Sequence, residues 1–157
     1  MVDSEIKDRK WLVYFVKYWL PLIILLGIIY WLSGGDFTDG RTSEFFFPKI
    51  KFLFPGLSPE EVTFVHEVIR ALAHIVEFFF LGLLLSLAIN YLPLRISSFK
   101  KGILIIVLLF VFAFGDELRQ SLVALRKASL VDVGLDLFGG MLAMIIVLSY
   151  KFQVKGR

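Results

Sequence analysis

Val68-Ile69-Arg70-Ala71-Leu72-Ala73-His74-Ile75-Val76-Glu77-Phe78-Phe79-Phe80-Leu81-Gly82-Leu83-Leu84 is the stretch on which the reading of this chain turns. It is too apolar for a helix bathed in water, yet it carries three ionisable residues spaced by four and three. At about 100° per residue, Arg70, His74 and Glu77 fall within a sector of about 60° on one helix face, the face shared with Thr63 and His66. Upstream, Ser58-Pro59-Glu60-Glu61 reads as a capping box, with Ser58 as cap, Pro59 in the first helical position and Glu61 three residues on. Downstream the pattern continues through Gly82 to about Tyr91. Roughly 33 residues at ~1.5 Å each make a helix of about 50 Å, longer than the ~30 Å hydrocarbon core of a bilayer. Its first turns are expected outside that core, or tilted.

The rest of the 157 residues agrees with a membrane setting. Hydrophobic residues make up 58% and charged residues 20%, and mean hydropathy is +0.80. Soluble domains carry about 45–50% apolar and about 25% charged residues. This composition excludes a disordered tail, a coiled coil and a water-soluble globule. Three further apolar blocks stand out, at residues 18–33 with a lead-in from Trp11, at 102–121, and at 132–150. The first block is too long for a signal peptide and has no small-residue cleavage site before Gly34-Gly35. Pro21 lies in its first turns, where a missing donor is tolerated or gives a mild kink. The expected fold class is an all-α membrane protein, a four-transmembrane-helix bundle forming one domain over residues 1–157. Its spans are placed at about 11–33, 66–91, 102–121 and 132–150.

Lys and Arg orient the bundle. Ten lie in the amino end, the 92–101 connection and the carboxyl end, against six in the two other connections. The positive-inside rule puts both termini in the cytoplasm. The net charge of +3 is thereby spent on topology and gives no sign of nucleic-acid binding. Cys is absent and His occurs twice, which argues against disulfides, a thiol nucleophile and a structural zinc site. No cofactor motif and no defined metal-ligand set is present. The external connection between the first two spans is Phe-rich, with Glu44-Phe45-Phe46-Phe47-Pro48-Lys49-Ile50-Lys51-Phe52-Leu53-Phe54-Pro55 at its centre. It reads as a segment lying in the membrane interface with Lys at the headgroups. A flap over a binding site and a strand or protein-contact segment are the alternatives.

Alternation of four spans brings the polar residues to one end. Arg70, His74 and Glu77 lie in the first half of the second span. Asp116, Glu117 and Gln120 close the third, and Asp132 and Asp136 open the fourth, after Arg126 and Ser129 in the connection. Together they are expected to line one polar cavity on the extracytoplasmic side. Ionisable residues in spans are costly and need partners or water. The bland reading is that Arg70 pairs with Asp132 or Asp136, and His74 with Glu117, purely to hold helices together. Asp132 also suits a helix-capping role, and His66 is expected at the surface rather than in the site. Gly82, Gly139, Gly140 and Ala143 read as close-packing positions.

The same residues resemble the VanZ-like family of small bacterial membrane proteins, named for a member linked to teicoplanin resistance. Ile29-Tyr30-Trp31-Leu32-Ser33 is similar to the family's end of span one. The stretch from Val68 to Leu84 is similar to its Arg-x-x-x-His-x-x-Glu-aromatic segment. Asp116-Glu117-Leu118-Arg119-Gln120 and Arg126-Lys127-Ala128-Ser129-Leu130-Val131-Asp132 match the two segments that follow, and Asp136, Gly139 and Gly140 fit the last span. The resemblance covers about residues 28–145. Ala71 stands where the family usually has Lys, and Ala124-Leu125 where it usually has Pro-Gly. The resemblance implies an effect on envelope lipids, wall precursors or drug access at the outer face, and names no reaction.

Three functions stay open at this point. The first is binding or remodelling of an anionic lipid or lipid-linked cell-wall precursor, held by Arg70 and Arg126 with His74, and with Gln120, Ser129 and Asp132 around it. The second is a membrane-embedded hydrolase or transferase, with His74 as base oriented by Glu77 or Asp136. There Asp116 and Glu117 act as proton donors or as ligands to a divalent cation. The third is an accessory membrane protein whose polar cluster only fixes the fold. A proton or ion pathway is weaker, because the cytoplasmic half of the second span lacks an acidic relay.

Overall fold

A computed structural model describes residues 11–34, 39–92, 95–122 and 129–155 of the chain. It is an all-α bundle. Helix α1 spans Trp11–Leu32, α2 Asp39–Leu53, α3 Pro59–Tyr91, α4 Ser98–Ser121 and α5 Leu130–Lys155. Among the described residues four stretches are long and apolar enough to cross a bilayer, namely α1, α3, α4 and Leu130–Tyr150 of α5. Large apolar side chains are exposed along all four, among them Ile24, Leu72, Phe110 and Ile145. Such a surface suits lipid and not water, and the protein is a multi-pass membrane bundle.

The start of α3 follows the capping-box reading. Glu61 N–H donates to Ser58 Oγ at 3.3 Å, and Ser58 N–H donates to Glu61 Oε2 at 2.7 Å. Two starts come earlier than expected. Helix α4 begins at Ser98 because Ser97 Oγ accepts from Lys100 N–H at 3.3 Å, and the next lysine turns back along the bundle. Lys101 Nζ donates to the carbonyls of Asn90 and Leu92, at 3.3 Å each, closing the carboxyl end of α3 with a positive charge. Helix α5 begins at Leu130, not Asp132, with Ser129 Oγ accepting from Asp132 N–H at 3.2 Å. In α1, residues Phe15–Trp19 form a wide π turn in which Leu20 N–H reaches back to Phe15 O. Pro21 has no N–H to return to Lys17, so the widened turn just before it is a local consequence of that proline.

Helices α3 and α5 form the spine. A Cβ on Gly82 would overlap the Gly140 backbone, and one on Gly139 would overlap the carbonyl of Ile75. The two backbones therefore touch at glycine, as in small-residue packing between membrane helices. Successive partners increase together along both chains, from Arg70 with Asp132 to His74 with Asp136 and Gly82 with Gly140. The helices run parallel, as the second and fourth spans of an alternating bundle must. Phe78, Leu81, Leu85, Ile105 and Leu109 fill the core between them and α4. At the end remote from the polar cluster, α1 is tied down by the Tyr14 hydroxyl on the Ala88 carbonyl and by the stacked rings of Tyr18 and Tyr91.

The Phe-rich connection is a helix, a secondary structure the sequence left unassigned. Residues 39–53 are helical, with Pro48 inside the helix. One side of α2 faces the bundle. Ile50 is buried, and the rings of Phe46 and Phe47 meet the imidazole of His66, centroids 5.9 and 5.5 Å away. The other side leaves Phe45, Phe52 and Leu53 exposed.

Candidate functional site

Close contact of α3 with α5 sets the centre of the site. His74, buried on α3, and Asp136, fully buried on α5, are joined by an Nδ1···Oδ1 hydrogen bond of 2.9 Å. One turn toward the amino end of α3, Arg70 Nη2 lies 3.5 Å from Asp132 Oδ2. The same register that seats Gly139 on Ile75 thus seats each acid of α5 beside a base of α3. Of the interhelical pairs the sequence suggests, Arg70 takes Asp132, while His74 takes Asp136 rather than Glu117.

The end of α4 closes the cluster from a third side. Asp116 is held through both carboxylate oxygens, one accepting from the Ser33 hydroxyl at the end of α1 and the other from Gln120 Nε2 one turn on. Glu117, 2% exposed, accepts the Ser129 backbone N–H at 2.6 Å through Oε2. In an ordinary capping box that amide bonds to the acid in the third helical position, which here is Asp132. Glu117 takes over that half of the box from another helix. The Asp132 carboxylate is released to face Arg70 while it stays in the first turn of α5, at the positive end of the helix dipole. Glu117 Oε1 and Asp136 Oδ2 are buried and have no hydrogen-bond partner among the described residues.

A pocket of about 170 Å³ opens onto these groups. Arg70, His74, Glu77, Asp116 and Gln120 line it from the spans, and Ser33 from the end of α1. Thr42 and Phe46 of α2 and His66 of α3 complete the wall. Asp116 also lines a larger groove of about 310 Å³, together with Leu26, Ile29, Phe78, Leu81, Phe112 and Arg119. Arg119 also lies over the Tyr30 ring, 3.6 Å from its centroid, and donates to the Tyr30 carbonyl. That clamp fixes the end of α1 against α4. A smaller pocket that takes in the polar side chains and a larger, more apolar groove therefore share Asp116 in their linings.

Of the residues expected in the site, Arg70, His74, Glu77, Asp116 and Gln120 line the pocket, and Glu117, Ser129, Asp132 and Asp136 stand beside it through the contacts above. Arg126 lies outside the described residues. His66 corrects the expectation of a surface position, since it is 5% exposed and lines the pocket. It is covered by Phe46 and Phe47, whose approach only the fold of α2 could reveal. Ser33 was visible only as part of a family-like stretch, and its bond to Asp116 is a contact across 83 residues. Thr42 had no sequence signal at all.

The profile of the VanZ/LLP1 family matches residues 18–151, and the chain belongs to that family. No curated relative and no solved structure matches it.

Proposed function

We propose that this VanZ/LLP1 protein binds an anionic lipid or lipid-linked cell-wall precursor at the extracytoplasmic end of its bundle, and through it alters susceptibility to glycopeptide antibiotics. The observation that carries this reading is the pairing of the two cavities across Asp116. The polar pocket offers Arg70, whose guanidinium suits an oxyanion, beside two imidazoles and the Gln120 amide. The adjoining groove offers an apolar wall for an acyl or isoprenoid chain. Lys and Arg counts put both termini in the cytoplasm and so turn the pocket outward, with α2 in the outer interface, its exposed Phe side toward lipid and its other side over His66. The antibiotic link comes from the family resemblance.

The test is a titration of the purified protein in nanodiscs of zwitterionic lipid with a polyprenyl phosphate and with phosphatidylglycerol. Saturable binding of an anionic amphiphile is expected, weakened at least tenfold in Arg70→Gln and unchanged in Lys49→Gln. Equal binding by the wild type and Arg70→Gln, or equal affinity for a neutral amphiphile, would remove the basis of the proposal.

A second reading makes the same site a hydrolase or transferase for a lipid-linked substrate. It rests on the His74–Asp136 bond, because a buried carboxylate that orients an imidazole is how a general base is held. In that case His74→Gln abolishes turnover while lipid binding persists.

A further inference from the structure

Five carboxylates, Glu77, Asp116, Glu117, Asp132 and Asp136, gather around or beside a pocket whose described cations are Arg70 and the imidazoles. An anionic headgroup entering this pocket would meet more negative than positive charge. Burying carboxylates without counter-charge is costly. One subset has a geometry that resolves the imbalance. A ring nitrogen of His74 and one carboxylate oxygen each of Glu117 and Asp132 lie within 4.8 Å of one another.

We infer that His74, Glu117 and Asp132 form a binding site for a first-row divalent cation of the Zn²⁺ or Mn²⁺ kind, whose open positions accept an oxyanion. Two observations beyond the clustering point to a ligand. Glu117 Oε1 is buried and has no hydrogen-bond partner among the described residues, although Oε2 of the same carboxylate is fixed by Ser129. The side chain is thus anchored through one oxygen and keeps the other for a ligand. His74 Nδ1 lies 2.9 Å from Asp136 Oδ1, and the tautomer that donates Nδ1–H to this carboxylate keeps Nε2 as the ring's lone-pair donor. Carboxylate–histidine–metal relays have this arrangement, the outer acid setting the tautomer and raising the basicity of the ring.

Donor chemistry selects the class of ion. One imidazole with two carboxylates suits Zn²⁺ or Mn²⁺, whereas Mg²⁺ and Ca²⁺ favour all-oxygen shells. At bond lengths of about 2.1 Å the three donors would draw in to roughly 3–4 Å from one another, a rotamer adjustment and not a refolding. Asp116 is outside the set because Ser33 and Gln120 hold both its oxygens. Three protein ligands leave at least one position open, as in sites where a metal binds a substrate oxygen. That bridging role rests on the lipid reading above; the cation site itself does not.

Isothermal titration of the full chain, without a polyhistidine tag and in a neutral detergent, tests the site with Zn²⁺, Mn²⁺ and Mg²⁺ alone. One Zn²⁺ or Mn²⁺ per chain is expected, with Mg²⁺ weaker. Glu117→Gln, which retains an acceptor for Ser129, should weaken association by more than ~100-fold, and Asp136→Asn by the ~10–100-fold typical of an outer partner. Arg70→Gln should keep the cation while losing the anionic amphiphile. No stoichiometric ion on the folded wild type would overturn the site. So would Zn²⁺ affinity unchanged in Glu117→Gln with native helicity and melting temperature. Cation binding without any gain in amphiphile affinity would overturn the bridge and leave the ion. A cation bound to a protein that takes no amphiphile would overturn the lipid reading and the bridge with it, and leave the ion.

Discussion

Asp136 and Arg70 occupy neighbouring turns of one interface, yet their loss should be felt differently. Asp136 is fully buried and holds His74. Asp136→Leu leaves the Nδ1 donor of a buried ring unmet and should cost about 1–3 kcal/mol, read as a lower melting temperature in detergent. Asp136→Asn retains an acceptor and should melt close to the wild type. The Arg70–Asp132 pair is partly exposed, at 28% and 18%, and long at 3.5 Å, so Arg70→Gln should cost less than ~1 kcal/mol. If Arg70→Gln unfolded the protein, that residue would be a structural strut and not a ligand. The sequence made these pairings legible because i, i+4 spacing on two facing helices leaves few combinations. It did not make the choice between Asp136 and Glu117 for His74 legible, because that depends on Glu117 reaching across to the Ser129 amide. Nor could it place His66, whose cover comes from a separate helix.

Glycine contact between α3 and α5 governs the elements. A methyl at Gly139 or Gly82 meets backbone, which cannot rotate away. Gly139→Ala or Gly82→Ala should therefore push the spine apart and destabilise the protein by about 1–3 kcal/mol. The displacement should carry the His74–Asp136 pair with it, so ligand binding falls as well. Gly27→Ala is the control. Nothing lies within 4 Å of its added Cβ, and in a helix the change should be neutral or stabilising by up to about 1 kcal/mol. Equal effects at Gly27 and Gly139, measured by thermal unfolding, would contradict the close approach. Apolar blocks together with their polar flanks gave the four spans, because the charge-free cores of the last two are too short alone, and the Ser58 capping box fixed the start of α3. Helix α2 stayed hidden because Pro48 and the Asp39-Gly40-Arg41-Thr42-Ser43 opening are poor helix formers, and its support comes from packing on α3. The π turn before Pro21 was similarly masked, since periodicity detects a helix and not its winding.

For the molecule as a whole, sidedness decides what the pocket can meet. The chain has no Cys, so single-cysteine labelling with a membrane-impermeant maleimide has no background. Glu44→Cys on α2 should label on intact cells, and Ser98→Cys at the start of α4 only after permeabilisation. The reverse pattern would turn the pocket to the cytoplasm and end the case for an outer-leaflet ligand. Lys and Arg counts predict that sidedness, and the labelling pattern tests it. Two cavities sharing Asp116 were not readable, since they depend on α1 docking through Ser33 and through the Arg119–Tyr30 clamp. The most direct measurement is native mass spectrometry of the protein extracted gently from its own membrane, with elemental analysis of the same sample. A retained anionic lipid or lipid-linked precursor, absent from Arg70→Gln, is the predicted result. A folded protein that carries no such amphiphile, or carries it equally in Arg70→Gln, would contradict the proposal and leave the polar cluster as a bond between helices.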